Sequence, residues 1–485
     1  MSAALRIRPE DDVAVALEPI GAGETVLGVT AREDIPAGHK LALTDLPAGS
    51  AVRKYGMPIG HATRAIRAGE WVHTHNLATS LTGEQDYRYE PAPAVRAAPF
   101  EGEFMGYLRA DGRVGVRNEL WILPTVGCVN GAAQRLAERA RAELGVPACA
   151  LTHPYGCSQL GEDHANTQRV LCALARHPNA GGVLVLGLGC ENNHLGVFRE
   201  ALGPVDPERV RFVNAQDVED EVEAGMEALR ALAAVLREDR RTPQPLDRLV
   251  LGLKCGGSDG YSGLTANPLL GALSDGVCAS GGSALLTEVP EMFGAETLLM
   301  ARCADRRIFE DTVELINGFK RYFEAHGQPV YENPSPGNRE GGITTLEEKS
   351  LGCTQKGGSG LVRDVLAYAQ PVRRRGLSLV YGPGNDLCAC TALAAAGAQL
   401  ILFTTGRGTP LGAPVPVLKV ATNHALARKK PGWIDFDAGC VLEEPMDAAA
   451  RRLLSLTLAV ASGQETRSEQ KGYRDLAIFK DGVTL

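Results

Sequence analysis

Gly182-Val-Leu-Val-Leu-Gly-Leu-Gly189 is an apolar run that ends directly in Cys190-Glu-Asn-Asn193. A short apolar run of this kind reads as a strand buried on both faces, as in parallel sheets. The polar residues after it then fall at the carboxyl end of the strand, where open α/β sheets place their ligands. The pattern recurs. Gly127-Cys-Val-Asn130 follows Leu120-Trp-Ile-Leu123, Cys255-Gly-Gly-Ser258-Asp259-Gly260 follows Leu249-Val-Leu-Gly-Leu253, and Tyr155-Gly-Cys157-Ser158-Gln159 and Leu351-Gly-Cys353-Thr-Gln-Lys356-Gly-Gly358 repeat the cysteine loop. Glycine lets backbone N–H groups approach a ligand, and Asn, Gln, Ser and Lys supply donors suited to a hydroxylated anion. Asn130, Ser158, Gln159, Asn192, Asn193 and Ser258 are therefore expected to bind substrate, with Arg407 in Thr404-Thr-Gly-Arg-Gly-Thr-Pro410 as a bidentate carboxylate partner.

Outward from these loops, strands alternate with helical segments such as 131–144, 166–176 and 219–236, which predicts crossover-connected parallel sheets. The first quarter differs: short β-like runs (Val13-Ala-Val-Ala-Leu17, Leu41-Ala-Leu43, Ala51-Val52) are separated by Pro36-Ala-Gly38, Pro47-Ala-Gly49 and Arg67-Ala-Gly69. The expected organisation is a small all-β domain over 1–90, a Pro/Ala-rich linker over 91–103 with too little patterning to pack by itself, and two α/β domains over 104–245 and 246–485. The charged run at 237–245 marks the second boundary.

At 485 residues the chain exceeds one ordinary core. Its formal charge of −8 is spread without a basic block, which argues against nucleic acid or an anionic membrane as partner. The start Met1-Ser-Ala-Ala-Leu-Arg lacks a signal peptide's apolar core, so a cytoplasmic location is expected. Twelve cysteines there read as buried thiols, metal ligands or catalytic groups rather than disulfides, and with no Cys-x-x-Cys pair a structural zinc site is poorly supported. Nucleotide signatures fail: no Gly-x-x-x-x-Gly-Lys-Ser/Thr occurs, and Gly406-Arg-Gly408-Thr-Pro-Leu-Gly412 has the wrong spacing for a dinucleotide fingerprint. Gly69-Glu-Trp-Val-His73-Thr-His75-Asn76 closes the first domain; on a strand, His73 and His75 share a face and could share a metal, or they are merely half-exposed strand histidines.

Long segments resemble one family. Tyr55-Gly-Met-Pro-Ile-Gly60 and Val72-His-Thr-His-Asn76 are similar to the N-terminal β-clip (SAF) domain of the altronate/galactarate dehydratases. Asp111-Gly-Arg-Val-Gly-Val-Arg-Asn-Glu-Leu-Trp121, Thr287-Glu-Val-Pro-Glu-Met-Phe-Gly294, Glu332-Asn-Pro-Ser-Pro-Gly-Asn338 and Trp433-Ile-Asp-Phe-Asp-Ala-Gly439 resemble the rest of that family. The resemblance implies a hydro-lyase of hexuronate breakdown that converts D-altronate to 2-dehydro-3-deoxy-D-gluconate, with ferrous or manganous ion. Galactarate, another sugar acid, or a sensing role without catalysis are the alternatives.

Such chemistry needs a base for a weakly acidic C2 proton, an acid for the C3 hydroxyl and stabilisation of the charged carboxylate. Glu288 and Glu291 follow a strand, Lys356 and Asp259 sit in glycine-flanked loops, and these four are the catalytic candidates. His73 and His75 are the expected metal ligands. Cys157 and Cys190, with Cys128 or Cys353, either converge on iron, singly or around an iron–sulfur cluster, or are buried structural thiols. A homodimer is expected, and the first domain is expected to close as a lid that carries His73 and His75 to the substrate.

Overall fold

The computed structural model describes residues 3–93 and 95–485; Met1, Ser2 and Ala94, the last within the expected linker, lie outside it. In the first domain Val13–Ala16 pairs antiparallel with Lys40–Ala42, which pairs with Trp71–Val72, and a second small sheet joins Ala51–Lys54, Met57–Ala62 and Leu77–Ala78. The Pro-Ala-Gly and Arg-Ala-Gly turns close these hairpins because Gly38, Gly49 and Gly69 take positive φ, where a side chain would be strained.

The second domain holds four parallel strands in the order Ala148–Ala150, Glu119–Pro124, Ala180–Gly187, Val210–Asn214. Helices Asn130–Arg139, Gly161–Ala175 and Glu221–Leu236 cover the sheet. Its chain order reverses between Glu119–Pro124 and Ala180–Gly187, the topological switch point. The third domain holds seven parallel strands in the order Val362–Leu366, Gly376–Val380, Ser283–Leu286, Val250–Cys255, Leu400–Thr405, Val417–Ala421, Phe436–Asp437. Its switch point lies between Val250–Cys255 and Leu400–Thr405. The parallel sheets expected from the apolar runs are present in both domains.

Three features were not legible in advance. Within the run expected as a boundary, Thr242–Pro245 is a strand that pairs antiparallel with Glu103–Leu108, so the second domain's entry and exit run side by side. The expected linker is packed: Ala92 N donates to the Ala301 carbonyl and Phe100 N to Ser280 Oγ, each at 2.8 Å, and just before it Tyr87 Oη donates to Glu296 and Tyr89 Oη to the Cys303 carbonyl. The two α/β domains also share one apolar core, in which Trp121, Leu123 and Leu174 meet Val380, Leu393 and Ile401. Helix Asp386–Ala395 packs on Gly161–Ala175 in that core. Among the described residues no helix is long and apolar enough to cross a membrane.

Candidate active site

A cavity of about 520 Å³ opens at the carboxyl edge of the seven-stranded sheet, lined among others by Cys255, Glu291, Asn333, Asn338, Lys349 and Asp386. Val250–Cys255 delivers Cys255 to its lining and Lys254 behind it, and the turn after Ser283–Leu286 delivers Glu291 to the lining and Glu288 behind it. Glu288 takes φ 70°, a left-handed conformation costly for a side chain and held here by its surroundings. Its carboxylate accepts from Lys254 Nζ, from Lys356 Nζ at 2.9 Å and from the Cys255 N–H at 3.1 Å. Lys254 also pairs with Asp386 at 2.9 Å. Glu291 pairs with Lys349 at 2.8 Å and accepts from Cys353 Sγ at 3.1 Å, and Lys349 reaches Asn333 Oδ1 at 2.9 Å.

These groups titrate far from their ordinary values. Burial pushes Glu288 up to about 7, against the pull of Lys254 and Lys356. Burial acts on Glu291 in the same direction, but Lys349, Lys254 and Lys356 overcome it and hold Glu291 at about 2. The neighbouring Cys353 lowers Cys255 well below an ordinary thiol, opposed by burial and helped by Lys356. The cavity therefore brings a carboxylate, an ammonium and a thiol of lowered pKa side by side, the composition expected where charge is moved in catalysis.

Of the catalytic candidates, Glu291 lines the cavity, whereas Glu288 and Lys356 are ion-paired behind Cys255. Asp259 corrects the expectation: its carboxylate is spent on Thr422 Oγ1 at 2.9 Å, Asn423 Nδ2, Ser262 Oγ and the Tyr261 N–H, and it fastens the switch-point loops instead of facing the cavity. Ser258 Oγ lies 2.8 Å from Cys255 Sγ and is buried. Arg407 is exposed and ion-paired to Glu340 at 2.9 Å, away from the cavity lining. Lys254, Lys349, Asp386, Asn333 and Asn338 were missed. The position of Lys254 next to the Cys255 loop was the only local signal for it, and the others converge through long-range packing.

His73 and His75 are also corrected. The strand ends at Val72 and both residues lie in the turn that follows, so alternation does not place them on one face. His73 is buried, stacks on Trp71 and has its Nδ1 2.9 Å from Thr344 Oγ1; His75 is exposed, with its ring 5.3 Å from that of Trp71 and tilted to it. His39, not anticipated, lies edge-on to His73 and accepts from Trp71 Nε1. The small domain is docked on the third: buried Lys40 and Lys54 each meet Glu348 at 2.8 Å.

At the carboxyl edge of the four-stranded sheet the other cysteine loops are laced together. Gly127 N donates to the Tyr155 carbonyl, Asn193 N to the Gly156 carbonyl, Ser158 N to Asn192 Oδ1 and Asn130 Nδ2 to the His153 carbonyl, all within 2.8–3.0 Å. Gln159 Oε1 accepts from Gly156 N and from Thr167 Oγ1. Asn130, Gln159, Asn192 and Asn193 thus shape the loops before they meet any ligand. The Leu351–Gly357 segment is helical, and its Cys353 donates to Glu291 of the cavity. Among the described residues no three His, Cys, Asp or Glu side chains converge on a position for one metal ion.

The family profiles agree along the chain. Residues 2–80 match the altronate/galactarate dehydratase SAF domain, 106–237 the second domain of D-galactarate dehydratase/altronate hydrolase, and 246–484 the C-terminal domain of D-galactarate/altronate dehydratase. The chain is 53% identical to the altronate dehydratase of Escherichia coli (strain K12), with 99% of each chain covered. It is 51% identical to that of Bacillus subtilis (strain 168), with 100% of each covered. It is 34% identical to the L-threo-forming galactarate dehydratase of Escherichia coli (strain K12), with 98% of this chain and 96% of the other covered. Over its whole length, this chain belongs to the altronate/galactarate dehydratase family.

Proposed function

We propose that this chain is a hydro-lyase that converts D-altronate to 2-dehydro-3-deoxy-D-gluconate and water. The observation that carries the substrate is the full-length identity of 53% and 51% to two altronate dehydratases, against 34% to a galactarate dehydratase.

The side chains that touch the cavity supply the acid–base parts. Glu291, ionised at neutral pH, takes the C2 proton as the C2–H bond breaks; Lys349, held protonated by Glu291, gives its proton to the departing C3 hydroxyl, which leaves as water. The enol so formed ketonises to the 2-keto-3-deoxy acid. Asn333 and Asn338 hold Lys349 in place and offer amides to the substrate hydroxyls. Arg339 lines the cavity and adds positive charge for the substrate carboxylate, which stabilises the charge that builds there. The polyol passes few apolar contacts, consistent with a polar cavity. A cytoplasmic homodimer is the proposed working form, and light scattering on the purified chain tests its stoichiometry.

The test is turnover of altronate beside galactarate, followed as 2-keto-3-deoxy acid, with Glu291→Gln alongside. Loss of the base should lower kcat by about 10²–10⁴. Wild-type turnover of galactarate but not altronate overturns the substrate, and a Glu291→Gln enzyme with normal kcat overturns the assignment of the base.

A further inference from the structure

Of the twelve cysteines only Cys128, Cys157 and Cys190 are exposed; the other nine are buried or partly so. All three stand at one place. They follow the strands Glu119–Pro124, Ala148–Ala150 and Ala180–Gly187, which are neighbours in the sheet, and Cys128 and Cys190 flank its switch point. Three exposed thiols gathered on one sheet edge would be a liability to a protein that did not use them.

The loops that carry them are built, not slack. Hydrogen bonds join the Cys128 loop to the Cys157 loop, and that loop to the Cys190 loop, on the residues beside each cysteine. Glu191 anchors the Cys190 turn, accepting from Thr125 Oγ1 at 2.6 Å and from the Leu188 and Gly189 N–H groups. Gly156 takes φ 102°, and a Cβ there would stand 1.9 Å from the Thr125 carbonyl oxygen, so only glycine lets the two loops touch. Ser158 adopts φ 58° without being glycine. Strain of this kind is kept where a fixed arrangement is needed. Asn130 Oδ1 and Asn214 Oδ1, which border these loops, are buried and have no partner.

The arrangement discriminates between metals. A single ion needs its ligands to converge on one point, and no such triplet occurs among the described residues. An iron–sulfur cluster takes one thiolate per iron and so spaces its cysteines apart, which loops on three separate strand ends provide. The all-sulfur donor set selects a soft centre over magnesium or manganese. We propose that Cys128, Cys157 and Cys190 hold a four-iron, four-sulfide cluster, one thiolate on each of three irons, with the fourth iron free of protein ligand.

Each thiol gives up its proton on ligation, and the cluster undergoes no net oxidation or reduction as it is held. The free iron would be open to an oxygen of a hydroxy acid, and this point alone rests on the dehydratase reading. The cavity of the third domain is close by. Asn385 and Asp386 line it, and Cys390 and Leu393 of the helix that Asp386 opens belong to the apolar core against which Tyr155, two residues before Cys157, is packed. A cluster there would supply a Lewis acid, which the acid and base of the third domain do not.

The test uses the full chain purified without oxygen and, where iron is low, treated with ferric iron, sulfide and a thiol reductant, the thiol reducing half of the iron. Iron and acid-labile sulfide are counted, and the dithionite-reduced protein is examined by electron paramagnetic resonance. About four of each per chain is expected, with the spectrum of a reduced four-iron cluster. Cys128→Ser, Cys157→Ser and Cys190→Ser should each lose at least half of the bound sulfide, and Cys172→Ser none. Alkylation mapped by mass spectrometry gives a readout without mutation: the three thiols should be shielded in the loaded chain and react in the stripped one. Iron without sulfide, no uptake, or unshielded thiols overturns the proposal. A loaded chain that leaves altronate unchanged refutes the dehydratase reading and not the cluster; a chain that dehydrates altronate without labile sulfide refutes the cluster and not the reading.

Discussion

Glu348→Gln should loosen the N-terminal domain from the rest of the chain. Glu348 is buried and accepts from three donors at 2.8 Å: Lys40 Nζ and Lys54 Nζ of the small domain, and the N–H of Thr344. Both lysines are fully buried, so the substitution strands two ammonium groups in apolar surroundings, facing an amide that can accept on one side only. Removal of one partner from a buried ion pair costs about 3–5 kcal/mol. On a docking equilibrium that is roughly 10²–10⁴-fold. Limited proteolysis between the domains should therefore cut the variant many times faster near residues 79–102 than the wild type, and thermal unfolding should show an earlier transition. Replacement of all three groups together (Lys40→Met, Lys54→Met, Glu348→Leu) should recover most of the loss, because well-packed apolar groups substitute for buried ion pairs. The pH dependence has a defined sign. Burial raises Glu348, but Lys40 and Lys54 outweigh it and hold it at about 2, below the ordinary 4.5. Its contribution is complete above pH 4.5 and is lost as pH falls toward 2. An unchanged cleavage rate and an unchanged transition in Glu348→Gln would refute the docking role of this cluster.

Glu288, raised by burial to about 7, disfavours the folded state once ionised; stability to urea should fall as pH rises from 4.5 through 7, and Glu288→Gln, though less stable, should flatten that fall. Gly156→Ala drives a methyl group into the Thr125 carbonyl and should cost about 1–3 kcal/mol, read as a lower urea midpoint together with lost protection of residues 125–129 in hydrogen exchange. Asp259→Asn turns an acceptor of four hydrogen bonds into a mixed donor and should destabilise by about 1–3 kcal/mol, while the KM for altronate rises less than kcat falls because the switch-point loops shift.

The apolar strands were legible because burial on both faces writes itself into consecutive residues. Gly182 to Gly189 and Gln399 to Phe403 are strands close to where the sequence placed them. The strand Thr242–Pro245 was not, since two prolines in four residues look like a breaker; they are tolerated on an edge, where an N–H is not required. Glu288 and Glu291 were found because a strand end precedes them. Lys349 and Asn333 escaped notice since neither lies at a strand end and their meeting with Glu291 depends on the packing of two other segments. The histidine pair failed for a local reason: the periodicity argument assumed two more residues of strand than Trp71–Val72 supplies.

The antiparallel pair of Glu103–Leu108 with Thr242–Pro245 has a consequence for how this architecture can be rearranged. The whole second domain hangs from two adjacent strands, so its ends are about 5 Å apart. A segment whose ends nearly touch can be cut out and closed over with a short turn, or carried intact to another chain, without rethreading its host. The thiol-bearing sheet edge is in that sense a cassette, and the apolar contacts of Trp121 and Leu174 with Leu393, rather than the covalent chain, decide whether a transplanted copy would face its new neighbour correctly.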